Sequence, residues 1–121
     1  ALRAKAGPGA LFLVSDAMAL AGAEAESFAL GGRTVRRDGG RLTLADGTLA
    51  GADLDLARAV RVMVAAGAAP ETALAMATSV PARVAGLEAG RLVPGAPADL
   101  VHLDADFALR GVWRGGVPVA A

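Results

Sequence analysis

The sequence predicts an α/β fold in which a helical middle section is followed by a β-rich tail. Residues 11–15 (LFLVS) form a mostly apolar run between Gly-Pro-Gly and an aspartate, a pattern typical of a strand buried in a parallel sheet. Residues 54–66 place apolar side chains at helical spacing. From residue 87 the chain consists of short alternating runs punctuated by Gly and Pro, which predicts β-hairpins.

Short segments that end in glycine separate the first strand from the helix. After a loop over residues 17–27, the runs FALGG, RTVRRDGG and RLTLADG predict small strands, with turns at Asp38-Gly39 and Asp46-Gly47. The following DGTLAG, residues 46–51, has two interpretations. It is a turn that enters the helix, or a loop whose small side chains let a ligand approach the backbone.

The helical section is predicted to contain two helices and a shorter third piece. The first helix ends at Gly67, and the second begins at Pro70, whose fixed φ suits the first helical position, and runs to about Ser79. PARVAG repeats this arrangement on a smaller scale before the alternating pattern begins. We therefore place a candidate boundary near residues 86–90.

The composition argues against several classes of function. The 121 residues carry no formal net charge, no cysteine and one histidine. Balanced charge gives no reason to expect nucleic acid or an anionic membrane as a partner, and no apolar run approaches the ~20 residues that span a bilayer. Without cysteine there is no disulfide scaffold, which fits a cytoplasmic protein, and one histidine cannot build a multi-histidine zinc site.

Asp16 is the main candidate for chemistry, because it stands where the apolar strand meets a loop. From spacing alone it is either a turn aspartate or a general base, since α/β folds place their chemistry at the carboxyl ends of strands. For four other polar or aromatic residues the structural interpretation is favoured, as sheet-packing or turn residues: His102, Trp113, Asp99 and Asp104.

The order of several motifs resembles the C-terminal third of the N-acetylglucosamine-6-phosphate deacetylases, which belong to the amidohydrolase superfamily. The specific part is SDAMALAG followed by FALGG and DGTLAG; PARVAGL and the later ADLV are shared widely in the superfamily. The resemblance implies the last part of a (β/α)8 barrel in residues 1–88, with a small β insertion at 28–46. Residues 89–121 would be strands of a small β-domain of the β-sandwich type.

The resemblance also implies roles for individual residues. Asp16 matches the aspartate that ends the eighth barrel strand and acts as catalytic base and acid, whereas Leu49, Ala50 and Gly51 match a loop that helps enclose the substrate. The family uses a divalent metal, zinc by preference, held by a glutamate and two histidines from earlier strands. We expect those ligands to lie outside this chain. The chain should then contain no metal-ligating residue, and the 121 residues alone should be inactive.

The expected parent enzyme hydrolyses N-acetylglucosamine 6-phosphate to glucosamine 6-phosphate and acetate. Its expected partners are the amino-sugar phosphate, the remainder of the parent chain and a second copy in a homodimer. Two alternatives stay open. One is a non-catalytic structural or binding module derived from an amidohydrolase tail, and the other is an amidohydrolase that acts on a different substrate.

Overall fold

The computed structural model describes residues 4–119. Along this part of the chain four strands are followed by three helices and three further strands. In order they are β1 (Ser27–Leu30), β2 (Arg33–Asp38), β3 (Arg41–Leu44), β4 (Leu49–Ala52), α1 (Leu56–Ala65), α2 (Pro70–Ala77), α3 (Ser79–Val84), β5 (Leu100–Leu103), β6 (Leu109–Arg114) and β7 (Val117–Pro118). These residues form two compact units, one of residues 14–56 and one that joins residues up to 13 with those from 57 onward. None of the described helices is long and apolar enough to cross a membrane.

The unit of residues 14–56 is built on an antiparallel sheet in the order β1-β2-β3-β4. Alternation along β2 and β3 turns Val35 and Leu42 to one face, where both are fully buried with Leu20. Met18, Phe28, Leu44 and Ala50 pack around this cluster. The small strands predicted between residues 28 and 46 are therefore confirmed as strands of one sheet.

The two predicted turns lie between these strands. Gly39 and Gly40, which follow Asp38, have positive φ and connect β2 to β3. Between β3 and β4 the amide of Thr48 donates to the Asp46 carboxylate at 2.9 Å, and this hydrogen bond holds the pKa of Asp46 below its ordinary value.

In the other unit, the predicted helix over residues 54–66 is confirmed as α1 and ends as predicted. Gly67 has a φ of 94°, its amide donates to the Val64 carbonyl, and the amide of Ala68 donates to the Met63 carbonyl. This pair of bonds is a Schellman motif, which requires a residue that tolerates the left-handed conformation. The helix then packs through Val60 against Ala73 of α2.

The second predicted helix is interrupted earlier than expected. α2 ends at Ala77, and α3 starts at Ser79 after Thr78 leaves helical geometry at φ −130° and ψ −89°. Pro81 explains the break, because it has no N–H to donate to the Ala77 carbonyl and its ring crowds the preceding turn.

The tail from residue 87 contains the predicted hairpins, in a sheet of order β5-β6-β7. Asp104 closes the β5–β6 connection: its carboxylate accepts the amides of Asp106 and Ala108 at 2.9 and 2.8 Å and pairs with Arg110 at 2.6 Å. The turn interpretation of Asp104 is therefore confirmed. Trp113 lies over Gly111, where an added Cβ would come within 2.7 Å of the indole.

Residues 11–15 differ from the prediction, because they form an extended segment and not a strand in any sheet of the described chain. Among residues 4–119 the segment makes a main-chain hydrogen bond from Leu13 to the Met76 carbonyl, and Phe12 and Val14 are 44% and 66% exposed. An apolar run indicates that a segment is suited to a buried strand, but a strand also needs a neighbouring strand with which to pair.

Candidate active site at the end of the extended segment

Asp16 lies at the end of the extended segment, where the chain turns into a loop over residues 17–26. Its φ of 50° is in the left-handed region, which is uncommon for residues other than glycine but accessible to aspartate. The residue is exposed, and its carboxylate has no hydrogen bond or ion pair with any of residues 4–119. A carboxylate that is free of internal partners is available for a substrate or a water.

The main chain of Asp16 is fixed by β4. The Asp16 carbonyl accepts a hydrogen bond from the Ala52 amide at 3.2 Å, and Ala17 and Ala52 form an isolated parallel bridge. The amide of Ala17 donates a weaker hydrogen bond to Ser15 Oγ, at 3.3 Å. The carboxylate is therefore exposed on a backbone that is held in place.

Gly51 lies directly against this backbone and is buried. An added Cβ would lie 2.9 Å from Met18 Sδ and 3.3 Å from the Asp16 carbonyl oxygen. With a φ of 155°, the position also has a conformation that side chains rarely adopt. The structure thus brings Asp16 and Gly51, two of the predicted site residues, together.

Leu49 and Ala50 belong to the same strand but face different surroundings. Leu49 is paired with Thr43 across the sheet and is 63% exposed, whereas Ala50 packs against the core cluster of Leu20, Val35 and Leu42. The interpretation of these residues as a loop was wrong, because they extend the sheet as β4. Their contact with substrate stays a prediction.

Arg37, which no sequence motif singled out, contacts the loop that follows Asp16. From β2 its guanidinium donates to the carbonyls of Leu20, Ala23 and Ala25 in the loop after Asp16, at 2.8, 3.0 and 3.0 Å. Its Nε lies 2.7 Å from the carboxylate of Asp53, the residue after β4. The sequence contains one indication of this: Arg37 is two residues from the buried Val35 in β2 and therefore lies on the same, core-facing side of the sheet. Arginine is unusual on such a face.

His102 and Trp113 belong to the unit that joins residues up to 13 with those from 57 onward, whereas Asp16 belongs to the unit of residues 14–56. His102 is an exposed residue of β5, and it lines an open cavity of about 440 Å³ with apolar neighbours such as Leu74 and Leu100. The residues that line the cavity all belong to that same unit. The structural interpretation of both residues is consistent with these positions.

The residues that the structure describes do not fit a metal site. Over residues 4–119 no group of three or more His, Cys, Asp or Glu side chains is close enough together to hold a metal ion. Asp16 offers one carboxylate, and the single histidine of the sequence lies in β5. A stable site for zinc takes three or four such donors, so this donor set is incomplete.

Comparison with known proteins gives three consistent results, of which the first is a family. Residues 12–119 match the amidohydrolase family. The match takes in the extended segment, Asp16, both sheets and all the described helices.

Two curated relatives are N-acetylgalactosamine-6-phosphate deacetylases. The protein of Escherichia coli O157:H7 is 38% identical over 109 residues, and that of Shewanella sp. (strain ANA-3) is 37% identical over 108 residues. Each match covers 88% of this chain but only 29% and 27% of the relative. For a relative from Escherichia coli (strain K12), which is 38% identical over 109 residues, the matched share of its length is 65%.

Solved structures of N-acetylglucosamine-6-phosphate deacetylases share the fold. The Pasteurella multocida enzyme superposes with a TM-score of 0.85 at 32% identity, covering 92% of this chain and 30% of that one. An aspartate-to-alanine variant of the Mycobacterium smegmatis enzyme, in complex with N-acetyl-D-glucosamine-6-phosphate, gives 0.80 at 34% identity, covering 92% and 31%.

Proposed function

This chain belongs to the amidohydrolase family, and from that premise we propose that it forms part of a deacetylase acting on an N-acetyl amino-sugar 6-phosphate. The names of its relatives and structural neighbours support this activity. Since the chain spans about a third or less of the solved enzymes, the activity is proposed for the longer protein of which these residues are a part.

The observation that carries the proposal is the position of Asp16. Its carboxylate is exposed and without an internal partner among residues 4–119, while its backbone is fixed by Ala52. An ordinary aspartate is ionised at neutral pH and can accept a proton. A general base needs both features, since it must reach the reacting water and hold its geometry.

We assign Asp16 both proton transfers of the hydrolysis. As water attacks the acetamide carbonyl carbon, the carboxylate accepts a proton from that water. The tetrahedral intermediate then collapses with cleavage of the C–N bond, and the carboxyl group donates the proton to the departing nitrogen. The products are acetate and the free amino sugar phosphate, and Asp16 returns to its ionised form.

Residues 1–88 are proposed to be the last part of a (β/α)8 barrel, and residues 89–121 to be strands of a small β-domain. The exposed apolar side chains of Phe12 and Val14 support the first assignment, because a barrel strand has neighbours on both sides. Residues 1–3, 120 and 121 lie outside the described residues. We further propose that the whole enzyme is a cytoplasmic homodimer.

The divalent metal of the proposed enzyme, zinc by preference, has no complete donor set among the described residues. We propose that a glutamate and two histidines from other parts of the longer protein hold it. The 121 residues alone should accordingly release no acetate.

The sugar has two candidates that differ at one stereocentre. The fold neighbours act on N-acetylglucosamine 6-phosphate, which is our first proposal. The curated relatives, at 37–38% identity, are named for the galactosamine compound, which favours that sugar as the second candidate.

A direct experiment measures acetate release by the full-length protein, with zinc added, from both amino-sugar 6-phosphates. The unphosphorylated sugars serve as controls. We expect a higher kcat/KM for one phosphorylated substrate and little turnover of the unphosphorylated sugars. Release from neither phosphate would contradict the proposed function, and acetate production by the 121-residue chain would contradict the incomplete site.

A further inference from the structure

We propose that Arg37 is a positioning residue for this reaction: together with Asp53 it holds the loop that follows Asp16 and so sets the orientation of the Asp16 carboxylate. The inference rests on the proposed function and adds a residue to it. Arg37 belongs to β2 and is not one of the residues that the family resemblance pointed to.

The contacts of Arg37 are concentrated on one short segment. Its two terminal nitrogens donate to three main-chain carbonyls within six residues of the loop, those of Leu20, Ala23 and Ala25. Inside the loop, the amides of Ala21 and Ala23 close local turns onto the carbonyls of Met18 and Leu20. These local turns do not connect the loop to the sheet, whereas the arginine does.

The ion pair with Asp53 fixes the guanidinium itself. Nε lies 2.7 Å from one carboxylate oxygen of Asp53, and a terminal nitrogen lies 3.3 Å from the other. Both side chains are about one-fifth exposed, at 20% and 22%. A partly buried ion pair of this kind limits the movement of the guanidinium, whose terminal nitrogens also donate to the loop.

Asp16 is connected to the same pair from the other side. Ala52, the neighbour of Asp53 in sequence, donates its amide to the Asp16 carbonyl. Asp16 is therefore connected to the ion pair in two ways. The loop that follows Asp16 is held by Arg37, and the carbonyl of Asp16 is bound by Ala52, which precedes Asp53. A displacement of the loop changes the backbone immediately after Asp16, and its φ of 50° leaves little room for adjustment.

Hydrophobic packing also anchors the loop, through the side chain of Leu20. Leu20 is buried with Val35 and Leu42, and this contact survives when the guanidinium is shortened. Lysine keeps a positive charge near Asp53, but it has one nitrogen and cannot donate to three carbonyls and the carboxylate together. Replacing Arg37 by lysine should therefore loosen the loop without unfolding the sheet.

The test compares the full-length enzyme with its Arg37→Lys, Asp53→Asn and double variants. Arg36→Lys is the matched control, because Arg36 is the adjacent residue of the same strand on the opposite, exposed face. For each protein we measure kcat and KM well below the melting temperature, and amide hydrogen exchange over residues 17–25.

We expect each single variant to lower kcat about tenfold with KM changed less than twofold, since a small misplacement of a reacting group costs rate rather than binding. Exchange over residues 17–25 should rise, and the double variant should lose no more than the single variants do. The Arg36→Lys control should match the wild type in kcat and in exchange.

Two results separate this inference from the proposed function. If the wild type is active and Arg37→Lys keeps the wild-type kcat, the inference alone is overturned. The same holds if a lower melting temperature is the sole change in Arg37→Lys. A wild type that releases no acetate from either sugar phosphate would overturn the proposed function and this inference with it.

Discussion

The amide of Ala52 donates a hydrogen bond of 3.2 Å to the carbonyl of Asp16. Because Ala52 is the last residue of β4, this bond attaches the end of the extended segment to the antiparallel sheet of residues 27–52. The sheet thus holds the backbone of the proposed base and leaves its carboxylate exposed.

Gly51→Ala should destabilise the full-length protein and reduce its activity. The new methyl group would lie 2.9 Å from Met18 Sδ and 3.3 Å from the Asp16 carbonyl, in a conformation that disfavours any side chain. We expect a loss of about 1–3 kcal/mol in the free energy of unfolding, from backbone strain and overpacking together. Denaturant unfolding and kcat/KM check both effects.

Gly32→Ala is the control for that variant. Gly32 also has a positive φ, of 77°, but an added Cβ there meets nothing within 4 Å. Gly32→Ala should lower the free energy of unfolding through backbone strain and leave kcat/KM unchanged. Equal losses of activity in the two variants would contradict a specific role for the contact between Gly51 and Asp16.

Leu49→Ala should raise KM for the amino-sugar phosphate and leave the melting temperature nearly unchanged. Leu49 is 63% exposed, so truncation creates no cavity in the core, whereas a side chain that covers the substrate loses its contact. Leu30→Ala, at 52% exposure on β1, is the matched control and should alter neither quantity. A KM within twofold of the wild type for Leu49→Ala would contradict its predicted role in binding.

Asp104 should make the stability of the second sheet dependent on pH. The amide of Ala108, followed by the guanidinium of Arg110, lowers the pKa of Asp104 below its ordinary value of 3.8. Since folding lowers this pKa, the stabilisation is complete above the ordinary value and is lost as the pH falls through the lowered value. Asp104→Asn should remove this part of the pH dependence, measured by amide exchange of β5 and β6 between pH 2 and 5.

Asp106→Asn is the control for this pH effect. Asp106 belongs to the same turn, but it contributes its main-chain amide to the turn rather than its carboxylate. Its substitution should leave the acid dependence of exchange in β5 and β6 unchanged. An acid transition that persists in Asp104→Asn would assign the effect to another group.

Local sequence patterns were sufficient to predict most of the helices and strands of the chain. Gly67 and Pro70 mark the end of α1 and the start of α2 because each has a backbone property that few residues share. The early end of α2 was also contained in the sequence, in the missing N–H of Pro81. The sequence did not indicate that residues 11–15 would form no strand in a sheet, because strand pairing depends on strands that lie elsewhere.

The candidate site was predictable only in part. Asp16 stands out because a carboxylate follows an apolar run, and the family resemblance supplied the role that we propose for it. The contact between Gly51 and Met18 and the loop contacts of Arg37 depend on how β4 and β2 fold back on the loop. Such contacts join residues 12 or more apart and leave no periodic trace, although an arginine on the core side of β2 is a usable sign.

The role of Asp16 as the general base can be tested by the effect of Asp16→Asn on acetate release by the full-length enzyme. Asparagine tolerates the left-handed backbone of this position and preserves the size of the side chain, but its amide cannot accept the proton from water. We expect kcat to fall about 10²–10⁴-fold, with an unchanged melting temperature because the carboxylate is exposed. A variant that keeps wild-type kcat would contradict the assignment of Asp16 as the base.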